Sequence, residues 1–313
     1  MFSPIKFRTE TELHEPPFKI SLKDRGLLIG SCFTAEIGER MRDLYLDVTV
    51  NPSGTIFNPD SILRLLRIAQ GKEELRYREH NGAWHCMEMS SAFSSVSYER
   101  CEAMSRESIE KLRQRCEEAD FAILTFGTAW VYRMDDLTVG NCHKIPQNRF
   151  LRERLSVEET IRILEETIRR LRYANPEIKI ILTVSPVRHI GDTLHGNNLS
   201  KSTLLLAVDE VCRRCPGVDY FASYEILLDD LRDYRFYASD LCHPSEQAVD
   251  YIWNRFCSCY LNEDDRSILR KISSLKKRME HRPLVADIPY EKERKKARKA
   301  LDEIITRCPG LQK

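Results

Sequence analysis

A serine near the N-terminus is the first residue of this sequence whose type and position could do nucleophilic chemistry. Ser31 follows the apolar run "LLIG" (27–30) and stands directly before a helical pattern. Free backbone N–H groups at the start of a helix favour negative charge, so they could hold the oxyanion that forms when a serine attacks a carbonyl. A helix N-cap is the commoner role for such a serine.

Asp240 and His243 form a candidate orienting-acid and base pair. They lie three residues apart, just before Pro244, and proline suits the first turn of a helix. In the turn that leads into this helix the carboxylate can fold back toward the imidazole. It would then fix the tautomer of the ring and leave the other nitrogen free as a base. A pair of surface turn residues is the alternative.

Other segments offer groups that could complete a site. Gly54, in "NPSGTIFNP" (51–59), could bring a backbone N–H close to a substrate, although such a segment also suits a simple turn. Thr128 and Trp130 lie in a strand-end turn, where the tryptophan could form the wall of a pocket. Loop side chains that could face the cleft, or be satisfied by backbone or water instead, are Asn141, His143, Arg188 and His189.

Cys32 is a rival nucleophile, because the start of a helix can lower the pKa of a thiol. Consecutive side chains at a strand-to-helix turn point in different directions, so only one of Ser31 and Cys32 faces the cleft. A cysteine packed inward against the sheet is the alternative.

Five short apolar runs predict the strands that position these residues. Continuous apolar runs are typical of parallel strands buried on both faces, and the helical patterns between them indicate a sheet covered by helices. We therefore expect an α/β fold with its ligand site at the carboxyl ends of the strands. The predicted strands are residues 27–30, 46–50, 121–126, 179–184 and 218–222.

Three segments depart from this alternation. Residues 79–100 are predicted as a loop or small ribbon over the sheet edge, and residues 131–141 as a hairpin-like excursion. Residues 262–313 hold 15 Lys/Arg against 9 Asp/Glu in two helical patterns. We expect a domain at 1–261 and a basic helical tail at 262–313 that packs on the domain or extends it, with a basic docking arm as the alternative.

The composition excludes several classes of protein. Of 313 residues, 42% are hydrophobic and 31% charged, as in ordinary globular domains, and the net charge of +1 gives no pull toward nucleic acid. No apolar run approaches the ~20 residues that span a bilayer, and the N-terminus lacks a signal core, so we expect a cytoplasmic protein. The "CRRC" stretch (212–215) has no second ligand pair, so we expect no metal site.

Together the segments resemble the GSCFA family, within the SGNH (GDSL-type) hydrolase superfamily. The family is named for a Gly-Ser-Cys-Phe-Ala stretch, which reads here from Gly30 to Thr34 with threonine at the last position. The resemblance covers most of the chain. It extends through "NPSGTIFNP" (51–59), "FGTAWVY" (126–132), "NCHKIP" (141–146), "SPVRH" (185–189), the segment from 220 to 245 and "HRPL" (281–284).

This resemblance implies a flavodoxin-like three-layer sandwich and no cofactor. It implies a serine nucleophile at Ser31, the Asp240–His243 pair and an oxyanion donor at Gly54. Related hydrolases carry a further donor, an asparagine, at the position that is Ala129 here, and alanine has no side-chain donor. Hydrolysis would therefore be slow unless another donor substitutes, and the candidates are Asn141, His143 and a backbone N–H at Thr128 or Ala129.

The expected function is hydrolysis of an ester of a small molecule or a glycan. Ser31 would attack the acyl carbon, His243 would move the proton, and backbone N–H groups at Ser31 and Gly54 would hold the oxyanion. An O-acyltransferase would use the same acyl-enzyme. A weakly active protein that binds a carbohydrate or acyl ligand is a second alternative, motivated by Ala129 and by the aromatic residues Trp84 and Trp130.

Overall fold

Strands and helices alternate along the computed structural model, which describes residues 8–281 and 290–312. The strands of the described residues, in chain order, are β1 (Gly26–Gly30), β2 (Val48–Val50), β3 (Tyr77–His80), β4 (Ala83–Cys86), β5 (Phe121–Phe126), β6 (Trp130–Met134), β7 (Leu137–Thr138), β8 (Leu151–Arg154), β9 (Lys179–Val184) and β10 (Val218–Tyr220).

Helices connect these strands and form the C-terminal part of the chain. The helices of the described residues are α1 (Cys32–Asp43), α2 (Pro59–Ala69), α3 (Tyr98–Glu118), α4 (Val157–Ala174), α5 (Thr193–Arg214), α6 (Ser223–Glu225), α7 (Glu246–Tyr260), α8 (Glu263–Glu280) and α9 (Glu291–Arg307). A π-helical turn, Ile226–Asp230, continues α6. None of the helices in this described part is both long and apolar enough to cross a bilayer.

The central sheet is parallel and has the strand order β2-β1-β5-β9-β10. Its apolar side chains alternate between two faces because successive residues of a strand point to opposite sides. Leu28 packs with α1, α7 and α8, whereas Leu27 and Ile29 pack with α2, α4 and α5. The chain is therefore an α/β three-layer sandwich of the flavodoxin-like type, as predicted.

All five predicted strands are present. β5 and β9 have the predicted bounds, β1 begins one residue earlier, and β2 and β10 are shorter than predicted. The antiparallel pair β3–β4 forms the predicted ribbon, but it begins two residues before the predicted segment, and the last three residues of that segment belong to α3. The predicted hairpin is β6–β7, and β8 adds a third strand on the other side of β6.

Helix α3 was not predicted from the sequence. Its buried positions follow a helical spacing, but serines fill several of them, so the apolar stripe that signals an amphipathic helix is weak. The buried residues are Cys101, Ser105, Ser108, Leu112 and Cys116.

The C-terminal helices pack on the sandwich. Leu269 and Ile272 of α8 and Leu301 of α9 belong to the same apolar cluster as α1 and α7. The chain end is also tied down, because the Gln312 N–H donates to the carbonyl of Tyr45 at 2.7 Å. Of the "HRPL" stretch, only His281 lies within the described residues.

The strand order creates a crevice between β1 and β5. The chain leaves β2 at one edge of the sheet and returns to the other side of β1, so the connections from β1 and β5 run in opposite directions. In open α/β sheets, ligands bind at such a topological switch point, beyond the carboxyl ends of the strands. Ser31 follows β1 and Gly127 follows β5, so both flank this crevice.

Candidate active site

Ser31 occupies the N-cap position of α1 but does not cap it. Its backbone has the extended conformation of an N-cap, yet its side chain accepts no hydrogen bond from the first turn. Ser97, Ser156 and Ser245 hold the same position in α3, α4 and α7, and each accepts an N–H from its helix. Helix capping therefore does not explain why position 31 is a serine.

The Ser31 hydroxyl is buried and free. The residue is 1% exposed, and its Oγ has no hydrogen-bond partner among the described residues. Most buried polar atoms in folded proteins have a partner, so an unpaired hydroxyl at a ligand-binding edge points to a functional role.

Asp240 and His243 form the predicted pair. The His243 Nδ1 lies 2.6 Å from Asp240 Oδ2. The second carboxylate oxygen, Oδ1, accepts the backbone N–H groups of Cys242 at 2.9 Å and His243 at 3.0 Å. These backbone groups, with the imidazole, lower the pKa of Asp240 to about 2. The carboxylate is therefore charged at neutral pH and fixes the ring with Nδ1 protonated. Nε2 has no hydrogen-bond partner among the described residues.

Loop contacts bring this pair to the edge of the sheet that holds Ser31. The Ser31 N–H donates to the carbonyl of Thr125 at the end of β5, at 3.1 Å. The loop after β9 crosses the same edge, where His189 Nε2 lies 3.1 Å from the position that a Cβ on Gly127 would take. The Arg188 N–H then donates to the carbonyl of Cys242, at 3.1 Å.

The serine and the imidazole are not in hydrogen-bond contact, since the Ser31 hydroxyl has no partner among the described residues. The side chain of His243 is half-exposed, whereas Ser31 is covered. Catalytic hydrogen bonds are often long in structures without substrate and tighten in the reactive complex. A movement of the His243 loop or a rotation of the Ser31 side chain would have to bring the two groups into contact.

The backbone N–H groups predicted as oxyanion donors already have acceptors. The Ser31 N–H is bonded to Thr125, and the Gly54 N–H donates to the carbonyl of Asn51 at 2.8 Å. Gly54 has φ +79°, and a Cβ there would collide with Ser90 Oγ. The turn and this close approach therefore require glycine without any catalytic role.

The backbone N–H groups of Thr128 and Ala129 are not free donors either. The Thr128 N–H donates to the carbonyl of Phe57 at 3.1 Å, and the Ala129 N–H donates to Ser200 Oγ at 2.7 Å. Thr128 Oγ1 is also bonded to Ser200 Oγ, at 3.0 Å. Ala129 has no exposed surface and lies in the apolar cluster between the sheet and α2, α4 and α5. Its side-chain position is thus part of the core.

Asn141 and His143 are bonded to each other and to the β4 region. Asn141 Oδ1 accepts the His143 N–H at 2.8 Å, and His143 Nε2 donates to the carbonyl of Cys86 at 2.9 Å. Burial and the charge of His85, whose ring stacks on His143, lower the pKa of His143 to about 4, so the ring is neutral at neutral pH. Asn141 Oδ1 and His143 Nδ1 also form hydrogen bonds with the Ser91 hydroxyl. Ser91 follows Ser90, whose side chain packs against Gly54.

Trp130 and His189 line the same edge with unpaired nitrogens. Neither Trp130 Nε1 nor His189 Nε2 has a partner within the described residues. The Arg152 guanidinium lies 3.9 Å above the Trp130 ring and pairs with Asp192, which joins the tryptophan to the start of α5. Burial, with the charges of Lys201 and His243, lowers the pKa of His189 to about 4. Trp84 packs edge-on against Tyr98.

The position of Cys32 at the start of α1 does not activate its thiol. Burial raises the pKa of its thiol, although the N–H groups of Phe33 and Cys32 and the charge of Lys201 oppose the shift. The side chain packs at the margin of the apolar cluster of α1 and α7. A thiol with a raised pKa carries little thiolate at neutral pH.

Lys201 is a buried basic residue that the sequence analysis did not identify. It is 1% exposed, and its Nζ donates to the carbonyl of Ser185 at 2.6 Å, which fixes the start of the loop after β9. Burial lowers the pKa of Lys201 to about 7. The signal was present, because Lys201 shares the helical spacing of the buried residues Leu204 and Val208.

The metal-ligating side chains of the described residues are not clustered. Within residues 8–281 and 290–312, no three His, Cys, Asp or Glu side chains form a group that could hold one. Cys212 and Cys215 of "CRRC" are free thiols, and burial raises the pKa of each.

Comparisons with known proteins give a match to one family model and distant likenesses to solved structures. No curated protein matches the chain. A carbohydrate esterase family 3 structure from Talaromyces cellulolyticus is similar over 80% of this chain and 99% of that chain, with 8% identity and a TM-score of 0.31. A likeness of that size carries no argument about activity. The model of the GSCFA family matches residues 25–256, which is most of the chain, and the protein therefore belongs to the GSCFA family.

Proposed function

We propose that this protein is an SGNH-type serine hydrolase that cleaves an ester bond of a small molecule or a glycan. The observation that carries the proposal is the Asp240–His243 pair. Its 2.6 Å hydrogen bond and the two backbone N–H groups on the other carboxylate oxygen orient an imidazole whose Nε2 is free. This pair lies at the edge of the sheet that carries Ser31, a serine without a structural role in its helix.

The first half of the reaction forms an acyl-enzyme. His243 Nε2 takes the proton of the Ser31 hydroxyl as Oγ bonds to the acyl carbon, and the carbonyl electron pair moves to its oxygen. The tetrahedral intermediate collapses, the ester C–O bond breaks, and His243 gives its proton to the leaving alcohol. Asp240 stays ionised throughout and stabilises the charged imidazole.

The second half releases the acid. A water molecule attacks the acyl carbon while His243 takes one of its protons, and Ser31 then leaves with that proton restored to Oγ. A sugar hydroxyl in place of this water would make the same enzyme an O-acyltransferase, and the two reactions differ only in the acceptor. Product analysis with and without an added sugar alcohol distinguishes them.

A weakly active ligand-binding protein is the second candidate. The burial of Ser31 and its lack of contact with His243 favour it. Such a protein would bind an acyl or carbohydrate ligand with little turnover.

Hydrolysis of a panel of short-chain and sugar esters tests the proposal. We expect the wild type to cleave at least one ester, Ser31→Ala to be inactive, and Cys32→Ala to keep a measurable fraction of the rate. Activity in Ser31→Ala and none in Cys32→Ala would make the thiol the nucleophile. Binding of an ester without cleavage by the wild type would favour the binding protein.

A further inference from the structure

The oxyanion of the proposed reaction lacks its expected donors. A tetrahedral intermediate needs N–H or O–H groups ~3 Å from its charged oxygen. The N–H groups of Ser31 and Gly54 already donate to backbone carbonyls, and Ala129 has no side-chain donor. Another group close to Ser31 must therefore supply the hydrogen bond.

Asn51 is bonded directly to the residue that precedes the nucleophile. It follows β2, and its N–H donates to the carbonyl of Leu28 at 2.8 Å, so it is fixed against β1. Its side-chain Oδ1 accepts the N–H of Gly30, also at 2.8 Å. Because a backbone N–H can only donate, this contact fixes which end of the amide is the oxygen and which is the nitrogen.

The other end of this amide is a free donor. Asn51 Nδ2 is buried and has no hydrogen-bond partner among the described residues. The hydroxyls of Ser31 and Thr34 are also buried and unpaired, and Thr34 Oγ1 lies 2.8 Å from the position that a Cβ on Gly30 would take. Three unpaired polar groups therefore surround Gly30, at the strand end from which the serine attacks.

The backbone of Asn51 supports a fixed side chain. Its φ of +45° lies in the left-handed region, which asparagine tolerates better than most residues. The carbonyl of Asn51 accepts the N–H of Gly54, so the N–H, the carbonyl and the side-chain oxygen are all bonded. A donor held in this way needs no reorganisation when charge develops beside it, which is the property that an oxyanion donor requires.

We propose that Asn51 Nδ2 is the side-chain oxyanion donor of this protein, in the place of the asparagine that Ala129 cannot provide. This inference rests on the proposed hydrolase function. As the bond between Ser31 Oγ and the acyl carbon forms, the carbonyl oxygen gains the electron pair and accepts the Nδ2–H. The hydrogen bond weakens again when the intermediate collapses and the C=O bond re-forms. The donor thus comes from the β2 side of the nucleophile.

Two substitutions at position 51 test the proposal. Asn51→Asp keeps an oxygen for the Gly30 N–H and has the same shape, but it replaces the donor with an acceptor. Asn51→Gly keeps the left-handed backbone and removes the side chain. We expect kcat for the best ester of the panel to fall by roughly 10²–10³ in both variants, with KM within a few-fold of the wild type.

A matched control is available in the same loop. Asn58 caps α2 by accepting the Ser61 N–H at 2.8 Å, and an aspartate can accept that bond equally well. Asn58→Asp should therefore retain wild-type kcat. A boronic acid inhibitor, which mimics the tetrahedral intermediate, should lose affinity for Asn51→Asp by a factor similar to the loss in kcat.

The outcomes separate this inference from the proposed function. Wild-type kcat in either position-51 variant would overturn the donor assignment and leave the hydrolase intact. Equal losses of affinity for the substrate and for the boronic acid would give Asn51 a structural role, and they would also overturn the donor assignment. A loss of kcat confined to Thr34→Ala would assign the donor to that hydroxyl. An inactive wild type that does not bind the boronic acid covalently would instead refute the hydrolase.

Discussion

Ser31→Ala should make the protein more stable, although it removes the proposed nucleophile. A serine that caps a helix contributes about 1 kcal/mol to stability, and its replacement by alanine loses that amount. Ser31 makes no capping hydrogen bond, and its buried hydroxyl has no partner among the described residues. Leaving a buried hydroxyl unpaired costs about 1–3 kcal/mol, so its removal should raise the free energy of unfolding by up to ~2 kcal/mol.

Ser156→Ala is the matched control, because Ser156 occupies the same position and does cap its helix. Its Oγ accepts the Glu159 N–H at 3.1 Å, and the Glu159 carboxylate accepts the Ser156 N–H at 2.8 Å. We expect this variant to lose about 1 kcal/mol. The two serine-to-alanine substitutions should therefore change stability in opposite directions, with a difference of roughly 1–3 kcal/mol.

Urea unfolding followed by circular dichroism measures this difference. The variants should share the wild-type slope of free energy against urea, so that a shift of the midpoint reports stability alone. A loss in Ser31→Ala equal to that in Ser156→Ala would show that Ser31 is an ordinary structural residue. The reasoning from its missing cap would then be wrong.

Three further substitutions test other parts of the site. Asp240→Asn keeps an oxygen that accepts both backbone N–H groups, but it presents an NH₂ group to the imidazole. The variant should therefore fold normally, and its kcat should fall by roughly 10⁴. An unchanged kcat would contradict the role of His243. The pKa of Lys201 falls from 10.5 to about 7 on folding, so the unfolded chain binds more protons between these values and stability rises with pH there. Thermal unfolding between pH 7 and 10 should show a flatter rise of stability with pH in Lys201→Met than in the wild type, and equal slopes would mean that folding does not lower the pKa of Lys201. Ala129→Asn places an amide in the core, so it should lower the free energy of unfolding in urea by about 1–3 kcal/mol without raising kcat. A higher kcat would mean that a side chain at position 129 can reach the oxyanion.

The sheet and the Asp240–His243 pair could be predicted because their signals are local. Each central strand is a continuous apolar run, and burial on both faces leaves that pattern in the sequence. The carboxylate and the imidazole are three residues apart, so a single turn brings them together. The position of Ser31 at a helix start could be predicted for the same reason.

The partners of several other candidate groups could not be predicted, because they are distant in sequence. The Ser31 N–H is bonded to Thr125, and His143 Nε2 to the carbonyl of Cys86, across 57 residues. A sequence shows that these groups can donate, but only the fold shows that they already do. The unpaired Nδ2 of Asn51 is likewise visible only when the other end of the amide is seen on Gly30.

The identity of the residue that forms the covalent intermediate is the central claim, and labelling with a fluorophosphonate tests it most directly. Trypsin cleavage after Arg25 and Arg40 gives a peptide of residues 26–40, which contains both Ser31 and Cys32. Fragmentation of this peptide in a mass spectrometer distinguishes the two side chains. The account predicts a phosphonate on Ser31, with labelling abolished in Ser31→Ala and strongly slowed in Asp240→Asn. A phosphonate on Cys32, or an unlabelled protein that still cleaves esters, would contradict it.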